Sequence, residues 1–243
     1  MNKLICLLLP VVLFLIVFVN GCENSSGPSS TVSIPADLLP LDVGRSWTFD
    51  AMEVDTSGNV IPNRIGTDIM TVKAYINFNG LNCYMLIDSL IIGSEINTDI
   101  DYFHIDSGGD VWQYIDLGVN SQDSAVIGWR KILNRTIGIG QQHVVFDTTV
   151  QMQGMSTRFT ITSVLKNADT ITVPFGRFNN AYPFEMTYRI EIQFGQGTFT
   201  YSQTNYTWIV PGIGFVKFKE PLTQSQNQAT GGYLIKELRA KNF

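Results

Sequence analysis

The densest group of chemically capable side chains is Asp99, Asp101, His104, Asp106 and Asp110. Carboxylate and imidazole groups converging on one point would hold a divalent cation. The spacing does not fit a calcium loop of the EF-hand kind, which needs a glycine at its sixth position and a glutamate at its twelfth. Gly108-Gly109 stands between Asp106 and Asp110, and this pattern reads instead as a charged hairpin tip. Only two histidines exist, His104 and His143. No serine or cysteine sits in a nucleophile elbow, and neither H-E-x-x-H nor a phosphate-cradling glycine loop occurs. Gly212-Ile213-Gly214 lacks the third glycine of a dinucleotide loop and, with Pro211 before it, reads as a tight turn. The paired carboxylates Glu185 and Glu191 share the wet face of one strand, six residues apart. These residues predict no catalytic group, no metal and no cofactor, hence a protein that is not an enzyme.

The N-terminus carries the most specific signal. Met1-Asn2-Lys3 is a short basic start, and Leu4 to Val19 is an apolar run broken only by Pro10. This is the layout of a secretory signal peptide. The run falls short of the ~20 residues that usually cross a bilayer. Its end resembles a bacterial lipobox, with aliphatic Val19 and small Gly21 before Cys22. That resemblance implies removal of residues 1–21 and lipidation, palmitate included, of Cys22. Each buried methylene contributes ~0.8 kcal/mol, so two or more acyl chains anchor stably where one does not. Residues 22–33, polar and rich in serine, read as a flexible tether. Glu23 in place of Asp implies, by resemblance to Gram-negative sorting rules, a lipid-anchored outer-membrane protein facing the periplasm. Cys6 leaves with the signal, so Cys83 stands alone and no internal disulfide is expected. Cys83 shares parity with Met85 and Ile87, as a small buried hydrophobe would.

The whole chain has 243 residues, 44% hydrophobic and 12% aromatic, with only 15% charged, against a usual ~25%. That suits a packed β-protein and argues against coiled coil or disorder. The net charge of −5, without a Lys/Arg cluster, gives no electrostatic footprint for nucleic acid.

Alternation then places the elements. From Phe184 to Phe194 every even residue is apolar and every odd one polar, which predicts a strand burying six side chains on one face. Asn79-Gly80 predicts a hairpin because both residues accept positive φ. Between Thr198 and Val210 the apolar parity flips, which predicts a bulge or register break between 202 and 205. Ten or more short strands and no sustained helical period after the signal predict an all-β antiparallel sheet with little helix outside the signal peptide. Strand candidates continue without a linker-like break, so residues 34–243 are expected to form a single domain.

Three segments resemble exported bacterial lipoproteins of unknown function, including the TapB-like proteins. They are Leu39-Pro-Leu-Asp-Val-Gly-Arg-Ser-Trp47-Thr-Phe49, Val173-Pro-Phe-Gly-Arg-Phe178 and Trp208-Ile-Val-Pro-Gly-Ile-Gly-Phe-Val-Lys217. Phe49 stands where that pattern usually has Tyr, and Ile213 where it has Val. The resemblance implies a sheet curved into an open or half barrel and assigns no activity. Two functions are then expected. One is a non-enzymatic binding module for an apolar ligand, lipid or peptide, with Trp47, Trp112, Trp208 and Tyr206 as ligand-facing aromatics. The other is a structural or assembly partner of another envelope protein, reached through an exposed sheet edge. In either case the membrane is a partner through the anchor. Radiolabelled palmitate should enter the wild-type chain and be lost in Cys22→Ser; equal labelling of the variant would remove the anchor.

Overall fold

The computed structural model describes residues 34–117, 127–152, 155–222 and 231–243. The signal peptide, Cys22 and the tether lie outside them. The described residues form thirteen strands and no helix. These are β1 (Ser46–Asp55), β2 (Val60–Phe78), β3 (Leu81–Ile92), β4 (Glu95–Ile105), β5 (Val111–Asp116), β6 (Ile127–Leu133), β7 (Gln142–Met152), β8 (Met155–Leu165), β9 (Asp169–Val173), β10 (Gly176–Phe194), β11 (Gly197–Val210), β12 (Gly214–Pro221) and β13 (Gly232–Lys241). Neighbours pair in the order β6-β5-β4-β3-β2-β1-β13-β12-β11-β10-β8-β7, with β9 on the first part of β10. All ladders are antiparallel. The sheet curls until β6 and β7, the ends of this path, face each other across one unsealed seam. Side chains span that seam: His143 Nε2 donates to Lys131 O at 2.9 Å, and Ser163 Oγ donates to Ile132 O at 2.6 Å.

Asn79 and Gly80 form the expected tight turn, both at positive φ. The strand expected at 184–194 is the second half of β10, in unbroken register with β11 from Tyr182↔Ile209 to Phe194↔Gly197. Its apolar face is dry only at the start. Phe184 and Met186 are each 7% exposed, whereas Phe194 is 51% exposed, because the face opens to solvent toward the Gly195 turn. No bulge occurs between 202 and 205. The register break lies instead at Trp208/Ile209, against β12. The parity flips because β11 sends polar Asn205 and Thr207 inward, among the cavity-lining residues, and Tyr206 and Trp208 outward.

One end of the barrel is plugged by residues 34–44, which Pro35 and Pro40 keep from forming a helix. Leu38, Leu39 and Leu41 are buried there. Gly212 N donates to Asp37 O at 2.9 Å, and the Arg135 guanidinium donates to the carbonyls of Ile34 and Ala36. Trp47 is fully buried, donates from Nε1 to Ile213 O at 2.7 Å and meets Phe215 edge-on. Gly214 is required beside it: its φ is +85°, and a Cβ there would lie 3.2 Å from the indole. Phe175 N donates to Leu238 O at 2.8 Å, tying the β9–β10 turn to the same end. Trp47→Phe should therefore lower stability by ~1–3 kcal/mol, the cost of leaving a buried carbonyl unpaired. Trp208→Phe, on the outer face, should stay within ~0.5 kcal/mol. Urea unfolding of both variants checks this, and equal losses would contradict the assignment.

Candidate functional site

Strands β2 to β4 put charge inside and isoleucine outside. Asp88 and Asp101 line the barrel cavity. On the opposite face Ile91, Ile96 and Ile100 are 42%, 71% and 52% exposed. Asp68 joins Asp88 inside, and Lys236 comes from β13. Lys236 Nζ lies 3.0 Å from Asp68 Oδ2 and 2.9 Å from Asp88 Oδ2. Asp68 is fully buried, and its carboxyl lies against that of Asp88, close enough for the two to share a proton.

This cluster holds one ammonium against four carboxylates, Asp68, Asp88, Asp101 and Glu220. Burial, then a hydrogen bond with Asp88, pushes Asp68 up to about 7. Burial also raises Asp101 and Glu220, although Gln113 opposes it at Asp101 and Lys236 at Glu220. Burial works to lower Lys236, but the combined pull of Asp88, Glu220 and Asp68 leaves it raised. The two directions agree physically. A single shared ammonium is held firmly charged, while each carboxylate receives only part of its compensation.

The cavity beside this cluster has a volume of about 240 Å³. Its apolar wall includes Leu38, Leu39, Phe103, Phe184, Phe215 and Phe218, and its polar wall holds Asp88, Asp101, Glu220 and Lys236. A second cavity of about 470 Å³ opens between β4 and β5, whose ladder spans only three pairs, Phe103–Ile105 against Val111–Gln113. Past those pairs Gln113 Nε2 bridges to Asp101 Oδ1 at 3.0 Å. Asp101, Gln113 and Tyr188 line both spaces. At the outer side Phe78 stacks on Tyr102 at 3.9 Å and meets Tyr114 edge-on.

The residues singled out from sequence lie elsewhere. Trp47 is core. Trp112 donates from Nε1 to Asp106 Oδ2 at 3.1 Å, under Lys131. Tyr206 and Trp208 stack on the outer face, 6.3 Å apart. None of these four lines either cavity, since each is set outward or into the plug by its strand's parity. The Asp99–Asp110 group is split. Asp106 Oδ1 accepts from Gly108 N and Asp110 N, closing the hairpin tip. Asp110 pairs with Lys131, His104 Nδ1 donates to Asn82 O at 2.7 Å, and only Asp101 reaches the cavity. Cys83 is buried, and burial raises its thiol. Among the described residues no three His, Cys, Asp or Glu side chains could hold a metal ion together. Sequence reasoning missed Asp68, Asp88, Glu220 and Lys236. For Asp68, Asp88 and Lys236 the one signal was a charge beside an isoleucine in a strand; Glu220, between Lys219 and Pro221, gave none.

The folded protein holds the Asp68 proton more tightly than the unfolded chain does. Its contribution to stability is complete below ~pH 4 and is lost as pH rises through about 7. Urea midpoints should therefore fall over that window. Asp68→Asn should flatten the slope by up to ~1.4 kcal/mol per pH unit; an unchanged slope would mean that Asp68 is already ionised there.

No family model matches this chain, and no curated protein matches it. Two solved structures are similar. One is a Parabacteroides distasonis protein described as a lipoprotein, with a TM-score of 0.48, 14% identity, and coverage of 84% of this chain and 98% of that one. The other is a Bacteroides fragilis protein described as exported, with a YmcC-like fold, with a TM-score of 0.45, 14% identity, and coverage of 85% and 99%.

Proposed function

We propose that the domain is a non-catalytic binding module that holds an apolar-bodied ligand inside the barrel. The cavity carries this reading: it is closed at one end by the Leu38–Leu39 plug, walled by four phenylalanines, and continuous in its lining with the β4–β5 opening. The signal segment, Cys22 and the three segments resembling TapB-like lipoproteins support a lipid-anchored place in the cell envelope, at the outer membrane and facing the periplasm. A non-catalytic role is supported by the histidines, each of which donates a ring N–H to a backbone carbonyl. The competing role, recruitment of an envelope protein through a sheet edge, has the β6–β7 seam in its favour. There, however, His143 and Ser163 already occupy the carbonyls of Lys131 and Ile132.

Thr207→Trp tests the binding role by filling the cavity from its β11 wall, with Tyr206→Trp on the outer face as control. The neutral fluorescent probe N-phenyl-1-naphthylamine should bind the mature wild-type chain and the control alike. Thr207→Trp should weaken it at least tenfold while keeping the β-sheet circular dichroism. Equal binding by all three would place the probe outside the barrel and remove this function.

A further inference from the structure

The cavity is graded from apolar to acidic along the barrel axis. The β4–β5 turn lies at the plugged end, where Gly109 and Ile105 share a small cavity with Ile34, Leu38 and Arg135. On β4, Phe103 is therefore nearer the plug, and Asp101 is two residues farther, ~7 Å at strand rise. On β12 the same order holds: Phe215 follows the Ile213 turn, then Phe218, then Glu220. On β13, Lys236 stands farther from the plug-end residue Leu238 by the same interval. A ligand in this space has its apolar body against the phenylalanines and its other end among Asp88, Asp101 and Glu220.

We infer, resting on the lumen as the binding site, that this other end carries a positive charge, so that the ligand is a single-chain cationic amphiphile. Charge comes first. Lys236 is the one cation on the polar wall, and it is already engaged by Asp68 and Asp88. Even with the Asp68 proton retained, Asp88, Asp101 and Glu220 outnumber it. The second observation is the grading itself. Asp88 pairs with Asp99, two residues beyond Asp101 on β4, so Asp88, Asp101 and Glu220 all reach the lumen at the end away from the plug, and a chain with one charged end fits the space in one direction. A metal ion is a poor match, since no three ligating side chains converge among the described residues. The third observation is the approach. The β4–β5 opening is faced with Phe78, Tyr102 and Tyr114 on the way to Asp101, and aromatic faces attract cations.

Four eight-carbon probes separate the possibilities by calorimetry on the mature protein at pH 8: octylamine, octyltrimethylammonium, octanol and octanoate. Octylamine should bind at least tenfold tighter than octanol and octanoate. Octyltrimethylammonium, which carries the charge without an N–H, should also bind tighter than octanol and octanoate. Asp101→Asn/Glu220→Gln should weaken octylamine about tenfold and leave octanol within about threefold. Should that variant fail to fold, the wild-type ranking alone decides. Octanol or octanoate matching octylamine would overturn the positive charge and leave the lumen as a site for neutral chains. Octyltrimethylammonium binding no tighter than octanol would overturn charge as the basis of recognition. No binding by any of the four would overturn the lumen reading as well.

Discussion

A closed sheet has an inside whose size is set by strand number, and this constraint governs the rest of the molecule. Eight strands enclose a space that side chains just fill, and wider barrels leave room. Here twelve strands lie along the closing path. The surplus interior is divided. Residues 34–44 fill one end with leucine, and Trp47, Phe49, Phe215 and Phe218 fill the next layer. What remains beyond them is the cavity. The same constraint explains why the path does not seal. At the plugged end of the β6–β7 seam, side-chain donors from His143 and Ser163 replace backbone ones, which holds the edges together without a ladder.

The segments 39–49, 173–178 and 208–217 meet at the plugged end. Trp47 of the first donates to Ile213 of the third, Gly214 of the third leaves space for that indole, and Phe175 of the second bonds β13 beside them. Their recognisable residues are therefore those of a clasp. Glycines are needed where chains approach closely, and a tryptophan where a large buried ring also has a donor. These segments give the cavity part of its apolar wall, Leu39, Ile209 and Phe215, and none of its charged one.

Alternation read correctly wherever one face of a strand met the core and the other met water. The stretch from Phe184 to Tyr188 and the all-β class follow from that rule, and the turn at Asn79-Gly80 from residues that accept positive φ. It failed in two ways, both physical. Toward the Gly195 turn an apolar face continued past the barrel body, so Phe194 and Phe199 are exposed. In β11 the inward face is polar, and Asn205 and Thr207 imitated a bulge. The site was illegible for a related reason. Large aromatics are the natural sequence candidates for a binding groove, but Trp47 closes the plug, and Trp208 and Tyr206 decorate the outside. The groups that reach the cavity, Asp88, Asp101, Glu220 and Lys236, look in sequence like ordinary solvated strand positions. Only cross-strand register, which no single stretch contains, turns them inward.

That inward turn is hard to explain by stability. Taking an ammonium and several carboxylates out of water costs several kcal/mol per ion, and apolar replacements of similar volume are often neutral or stabilising. A core optimised for folding would place Ile69, Ile91 and Ile100 inside and the aspartates outside, the reverse of what β2 to β4 do. Lys236 is outnumbered by the carboxylates of Asp68, Asp88, Asp101 and Glu220 around it. Imbalance of this sign, at the boundary between an apolar pocket and an aromatic opening, is the charge pattern that the cationic guest we propose would offset.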